Sequence, residues 1–550
     1  MYEYMYTYVV SSGLPNYSSA KFVIPSNLNI KGWAKYLYKD SDKELLSHIC
    51  HGFPTGFLGP ISSHSYLKNH PSSNNYPDHM DEYIREEVAQ GALLGPFDEN
   101  PFEWSHISAY MTRSKADPNK RRVINDLTYP LSHSVNSYIP KGVIDGKNFT
   151  HELPSVDDIV KSLNDNPDRC IMFCEDISRA YRNFRTEITS WPLNVSIWRE
   201  KYYIDCSMAF GSRLSSLNMQ RVAAKIVEIL RDEGIYSYMY LDDLICLNSS
   251  YEEANKNQKR VQQLFSELGL PIAKEKSSPP SHVIKWLGIN IDSMNNLLYI
   301  PSQKLNDLID FSNKLFVKDY ITKKQLQSIL GKTFYIGKCI RPVRAFTSRL
   351  LQTLRNHHKE NRIKVTDQMY KDISWFKNFA AEWNGVTIIP KLQEIQTIYV
   401  HSEKYMCYGS DGIVTYELKL ECDGLSQLLV AAINVWIAIQ NFAIMHPGLK
   451  IRVITSNPRV EDVFMIANNN DESLNELARL FWLSKAHLNC QCYFGYKYLQ
   501  RAKGENSYAF RDSAFSLPKI RIDSQILHKV YLFILSCQNI NSVQHHKITH

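Results

Sequence analysis

The sequence lacks the devices on which secreted, zinc-binding and membrane proteins depend. Its eleven cysteines are scattered along 550 residues, and the closest pair is Cys490-Gln491-Cys492. No paired Cys-x-x-Cys units and no His/Cys knuckle spacing occur, so no zinc site is expected. An odd cysteine count in a large chain favours free thiols in a reducing compartment. The N-terminus, MYEYMYTYVVSSG, has neither a basic leader nor a long apolar run, so it does not read as a signal peptide. No apolar run approaches the roughly 20 residues of a membrane span. Repeats and low-complexity tracts are missing too. The expectation is an intracellular protein, in cytoplasm or nucleus, with no membrane partner.

What is present fits an ordinary globular chain, with 44% hydrophobic and 22% charged residues. The length exceeds one ordinary core, so several domains are expected. The net charge of +7 permits a nucleic-acid partner, although a merely basic protein would show the same value. Aromatic residues, 33 of them tyrosine, suit packed surfaces and base stacking equally well.

Read along the chain, residues 1–75 are rich in Gly, Pro, Ser and His and suggest an irregular N-terminal extension. Residues 77–95 predict a helix, with Asp78 as N-cap and Gly95 as terminator. Strands follow at 106–113 and 121–127, then a helix over 155–166 that Ser155 caps. IMFCED (171–176) predicts a buried strand, 193–210 a hairpin, 217–234 a long amphipathic helix, and 251–269 another helix. Residues 76–300 therefore predict an α+β domain with a partly antiparallel sheet. Residues 301–388 predict a helical domain. Residues 389–520 alternate strands and helices again, as a second α/β domain. Residues 521–550 read as a basic tail around the apolar patch KVYLFILSC, and its end, VQHHKITH, reads as disordered.

The segment 236-YSYMYLDDLICLN-248 poses a physical problem. Asp242 and Asp243 sit side by side in an apolar, strand-like run, where like charges repel and hydration is lost. A solvated hairpin turn or a bound cation could compensate. Asp176, at the end of the strand IMFCED, could join them. Three carboxylates on one sheet suit hard divalent cations. Two Mg²⁺ ions there could activate a 3′-hydroxyl and stabilise a leaving pyrophosphate. A chance doublet in a turn is the plainer alternative, because Asp suits turns.

The neighbouring phrases resemble the ordered motifs of reverse transcriptases. KADPNKRRVINDL (115–127) is similar to the fingers hairpin. The resemblance implies that Lys115 contacts triphosphate and that Arg122 packs on the incoming base while binding phosphate. DISRAY (176–181) looks like the first palm motif, with Asp176 and the backbone carbonyl of Ile177 as metal ligands. Tyr181 would then lie under the sugar and exclude a 2′-hydroxyl. MAFGSR (208–213) resembles the loop in which Phe210 and Gly211 line the nucleotide pocket. YLDD supplies Asp242, the stronger candidate for direct contact with both ions, and Asp243. PIAKEKS (271–277) offers Lys276 as a triphosphate-facing lysine. WLGI resembles the primer grip, with Trp286, Leu287 and Gly288. The resemblance implies a right-hand polymerase of fingers, palm and thumb, two Mg²⁺ ions with Mn²⁺ as a substitute, and dNTPs as substrates. Its partners would be an RNA template, a DNA primer and their RNA–DNA hybrid.

Longer phrases, such as RRVINDLTYPLSHSVNSYIP and LGLPIAKEKSSPPSHVIKWLGINID, resemble the reverse transcriptases of DIRS-type retroelements. This likeness runs from about residue 45 to 388. Beyond it the likeness is architectural. That branch implies an RNase H domain at 389–520, which needs about four carboxylates around its metals. Here His401, Gln427, Ser456 and Phe510 fall where acids are expected, with Glu403, Asp411, Asp423 and Asp512 nearby. The expectation is an RNase H-like domain without nuclease activity. The palm loop also departs from the family, with Ser216 where Pro is usual. No DTG or DSG protease signature, HHCC pattern or tyrosine-recombinase constellation is recognisable. A non-catalytic nucleic-acid-binding derivative is the competing expectation.

Overall fold

The computed structural model describes residues 26–37, 42–60, 65–66, 68–114, 121–144, 146–150, 152–340, 342–356, 361–387, 395–420, 424–443, 450–467, 471–488, 491–496 and 518–546. The chain divides into two compact units, Met1–Asn296 and Leu297–His550.

In the first unit, Ile171–Asp176 forms a strand in which every residue is buried. It lies between Asp243–Asn248 and Ser278–Ser281, with Ser237–Tyr240 at the far edge of a four-stranded antiparallel sheet. Side chains alternate across a pleated strand. Ile171, Phe173 and Glu175 therefore face one side, and Met172, Cys174 and Asp176 the other. Two long helices, Ser215–Asp232 and Tyr251–Leu268, cover the first side. Their Met219, Val222, Ile226, Val261, Leu264 and Phe265 pack with Phe173, Leu244 and Cys246 in the main core. The second helix has clear end signals. Ser250 accepts from the Glu253 amide, and Gly269 takes the left-handed conformation (φ 74) that a terminating glycine tolerates without a Cβ clash. Ser155 caps Val156–Asp165 through a capping box with Asp158.

Several expectations change. Residues 26–75 are not simply irregular, because Ile30–Leu37 and Lys43–His51 are helices. Trp33 and Leu37, and Leu45 and Ile49, are spaced four apart, so each pair shares a helix face and enters the main core. The Gly- and Pro-rich phrases around them conceal this pattern. The next helix begins at Pro77, with Tyr76 rather than Asp78 at the N-cap. Proline at the first helical position needs no hydrogen bond and fixes the start one residue earlier. That helix ends at Ala89, and Gly95 lies inside the following strand, Leu93–Phe97. The C-terminal segment is a helix, Ser524–His546, which takes in the start of the phrase VQHHKITH expected to be disordered. Residues 547–550 lie outside the described residues.

The second unit contains the helices Ser302–Phe316, Lys323–Ile336, Val343–Asn356 and Asp367–Phe379. It also contains a five-stranded sheet ordered Thr415–Lys419, Met406–Ser410, Ile395–Glu403, Lys450–Thr455, Gln491–Tyr496. The first three strands are antiparallel and the last two run parallel to the central one. An ion-pair cluster holds helices of this unit together. Arg349 and Arg479 meet Asp372, Glu472 and Glu476. The chain is thus a mixed helix-and-sheet protein, as expected. Among the described residues, no helix is long and apolar enough to cross a membrane.

Candidate active site

The paired aspartates occupy a tight hairpin. Tyr240 pairs with Asp243, which leaves Leu241 and Asp242 as a two-residue loop. Leu241 has φ 56, the positive value that such a loop demands at its first position. A leucine rarely adopts it, so something must hold it there. Gln220, from the helix Ser215–Asp232, does so. Its Oε1 accepts from the Leu241 amide at 3.0 Å, and its Nε2 donates to the Met239 carbonyl at 3.2 Å. Antiparallel pairing alternates, so Met239 turns its carbonyl toward the open sheet edge. Gln220 closes that edge.

Register brings the acids together. Asp243 lies directly opposite Asp176, and the Ile177 amide donates to the Asp242 carbonyl at 3.0 Å. Ile177 is itself buried and bridges Ile272. Lys276 donates to both oxygens of Asp176, at 2.8 and 3.1 Å. Burial and the negative charge of Asp242 raise the pKa of Asp176, against the pull of Lys276. Asp243 is pushed up to about 7 by burial and then by Asp176 and Asp242. Burial works against the Lys276 ammonium, yet Asp176 and Asp242 outweigh it and raise its pKa. The cluster therefore holds more negative charge than its one lysine offsets. Among the described residues, no group of three or more acids, histidines or cysteines is spaced to hold a metal ion.

Trp286 and its turn brace the same hairpin. The buried indole donates to the Asp243 carbonyl at 3.2 Å. Trp286 pairs with Ile289, so Leu287 (φ 47) and Gly288 (φ 76) form a two-residue turn with both central φ values positive. The Leu287 amide hydrogen-bonds the Asp243 carboxyl and lowers its pKa in part.

The expected nucleotide-side residues form a second row. The Tyr181 and Phe210 rings meet edge-on at 5.1 Å, and the Arg122 guanidinium lies 5.2 Å from the Phe210 ring centre. Burial, helped by Asp242, pushes the Tyr181 phenol up to about 12. Gly211 has φ 119, and a Cβ there would stand 2.5 Å from the Asn125 carbonyl, so only glycine fits. Asn136 holds this loop, donating to the Gly211 carbonyl at 2.7 Å and accepting from the Arg213 amide at 2.9 Å. Lys115 lies outside the described residues.

Sequence reasoning missed four supports. Gln220 and Asn136 are buried polar residues, and Gln220 interrupts the apolar face of its helix. Glu175 is a fully buried acid beside Asp176. Arg182 is buried with Asp205 at 2.7 Å and Glu87 at 2.8 Å, and Arg179 also pairs with Glu87. For Gln220 and Glu175 the sequence signal was a polar residue in an apolar pattern.

In the five-stranded sheet, His401 lies on the central strand and Ser456 just past its parallel neighbour. Their Nδ1 and Oγ atoms stand 3.1 Å apart. Gln427 opens the helix Gln427–Ala443 and donates to the Lys404 carbonyl. Phe510 and Asp512 lie outside the described residues.

Residues 114–291 match the family model described as reverse transcriptase (RNA-dependent DNA polymerase). The chain is 22% identical over 309 residues to Protein P of duck hepatitis B virus, strain United States/DHBV-16. That match covers 51% of this chain and 36% of the relative, so the chain spans about a third of the curated protein it resembles. Among solved structures, it is 15% identical to the foamy viral protease-reverse transcriptase dRH in complex with double-stranded DNA. The TM-score is 0.49, with 89% of this chain and 85% of that chain covered. A second match is the foamy viral protease-reverse transcriptase in complex with RNA/DNA hybrid, at 15% identity and TM-score 0.48, covering 95% and 65%. Residues 114–291 thus carry a reverse transcriptase domain.

Proposed function

We propose that the protein is an RNA-directed DNA polymerase that extends a DNA primer on an RNA template with dNTPs. The observation that carries this reading is the register that sets Asp176 opposite Asp243, with Asp242 on the turn and Lys276 on Asp176. Asp176, Asp242 and Asp243 are hard oxygen donors of the kind Mg²⁺ and Mn²⁺ take, and their carboxylates would have to draw closer than they stand here to hold such ions. Bound there, such ions would supply Lewis-acid activation of the primer 3′-hydroxyl and charge stabilisation at the phosphates.

The chain's own residues do the rest. Lys276 and Arg122 present cations to the triphosphate. Tyr181, packed on Phe210, closes the space a 2′-hydroxyl would need. The bare main chain at Gly211 lets the nucleotide approach closely. Trp286 and the Leu287–Gly288 turn hold Asp243 and guide the primer end. Lys115 belongs to the same set on the sequence resemblance alone. The RNA–DNA hybrid is the product of this reaction and the duplex partner.

The finer reading places the protein with DIRS-type retroelements, and it treats 389–520 as an RNase H-like domain without nuclease activity. The hydrogen-bonded His401–Ser456 pair supports this, since neutral side chains cannot hold two cations together. The sheet keeps the element order that such a domain expects. The full chain should leave the RNA strand of a hybrid intact with Mg²⁺.

The test is primer extension on an RNA template with dNTPs and Mg²⁺ or Mn²⁺, beside Asp242→Asn. Extension by the wild type alone supports the polymerase. Equal signals from both proteins would favour the competing reading, a nucleic-acid-binding protein that has lost its chemistry.

A further inference from the structure

Glu175 is a carboxylate buried at 0% exposure in the strand that carries Asp176. A buried carboxyl group is costly unless it is hydrogen-bonded, and an apolar residue would suit this core face better. Among the described residues it has no cationic partner. Three neutral donors surround it instead. Gln258 and Gln262, one turn apart on the helix Tyr251–Leu268, donate to Oε1 at 2.9 and 2.8 Å. Ser277 donates to Oε2 at 2.6 Å. Three side-chain contacts therefore tie both oxygens of the buried carboxyl group to neighbouring elements.

The Ser277 contact links this buried group to the reaction site. Ser277 follows Lys276 in a turn whose Lys276 and Ser277 amides both donate to the Ala273 carbonyl. The Ala273 amide in turn donates to the Asp176 carbonyl at 2.9 Å. The turn is therefore tied at its start to Asp176 and at its end to Glu175. Between these ties Lys276 reaches out, more than half exposed, to the Asp176 carboxylate. A long lysine side chain on an untied turn would sample many positions.

We propose that Glu175 is a positioning residue: through Ser277 it fixes the turn that holds Lys276 against Asp176. The pleat explains how one strand serves both ends, with Glu175 gripping the turn from the helix-covered face while Asp176 meets Lys276 on the other. The consequence for nucleotide binding rests on the polymerase reading above. The placement of Lys276 does not.

Ser277→Ala is the informative substitution, because it removes the link and leaves the Glu175 side chain in place. Glu175→Gln is less clean, since Ser277 can redirect its proton to the Ala273 carbonyl, 3.3 Å away. In full-length protein, Ser277→Ala should raise the KM for dNTP about tenfold, the effect of losing one buried hydrogen bond, with kcat changed less than about twofold. Ser277→Thr should restore the wild-type KM. In a Lys276→Ala background, Ser277→Ala should add nothing further. An unchanged KM in Ser277→Ala, or an effect that adds in full to that of Lys276→Ala, would overturn the proposal. A second readout needs no polymerase activity. Amine-reactive labelling of Lys276, read by mass spectrometry, should rise in Ser277→Ala toward the level of Asp176→Asn. Unchanged labelling would also refute the placement. A wild type that labels as expected but does not extend primers would sink the polymerase reading alone.

Discussion

Replacing Gln220 with methionine tests how the paired aspartates are held. Methionine matches glutamine in length and removes only the amide. Two main-chain groups then lose their partners: the Leu241 N–H and the Met239 carbonyl. Each buried, unpaired group costs about 1–3 kcal/mol. Leu241 is only partly buried, so water recovers some of this, and the net loss should be about 2–4 kcal/mol. Leu241 also loses the contact that opposes relaxation from its left-handed conformation, worth about 1 kcal/mol. The turn should drift, and Asp242 with it. Misplacement by about 1 Å can cost about a hundredfold in rate. The assays are urea unfolding of the full chain and single-turnover primer extension at saturating dNTP. A turnover rate within twofold of wild type, together with an unchanged urea midpoint, would refute the clamp. A lower midpoint with an unchanged rate would make Gln220 a structural residue only.

Three further outcomes follow from particular contacts. Tyr181→Ala should reduce discrimination against ribonucleotides by about tenfold to a hundredfold in competitive incorporation, and an unchanged ratio would remove its gate role. Arg182→Met leaves Asp205 buried without its cation and Glu87 with Arg179 alone, and should destabilise the fold by about 3–5 kcal/mol in urea unfolding. Asp372, which burial pushes up to about 7 against the pull of Arg479 and Arg349, gives a pH test. Its folded pKa lies above its unfolded value, so the native state holds the extra proton between about pH 4 and 7. Stability around the helix Asp367–Phe379 should therefore fall as pH rises through that window, by on the order of 3–4 kcal/mol. Asp372→Asn should flatten the fall in hydrogen exchange measured at pH 5 and pH 8.

The long helices and the strand IMFCED were readable because each satisfies one dominant rule. A 3.6-residue apolar period with Ser250 before it and Gly269 after it leaves little choice. The acids Asp176, Asp242 and Asp243 and the aromatic Tyr181 were readable from chemical type and order. The helices of residues 30–51 were not, because they are short and stand beside the Gly- and Pro-rich phrase of residues 52–60. The C-terminal helix was hidden by its His-rich end. Asp78 was a reasonable cap on composition, and Pro77 overrode it through backbone geometry.

Sequence alone determined which residues carry charge, which strands and helices can form, and that one strand ends in an acid while a hairpin carries two adjacent ones. It could not determine what each buried polar group meets. Gln220 touches residues 19 and 21 positions away, Glu175 touches partners 83, 87 and 102 away, and Asn136 reaches Gly211 across 75. Contacts of such separation depend on sheet register and helix placement, which local propensity does not encode. Register alone set Asp243 opposite Asp176, and a slip of one residue would have turned it to the other face. Tertiary structure thus decided that the costly doublet at 242–243 is clamped by a glutamine, braced by a tryptophan and faced by a lysine.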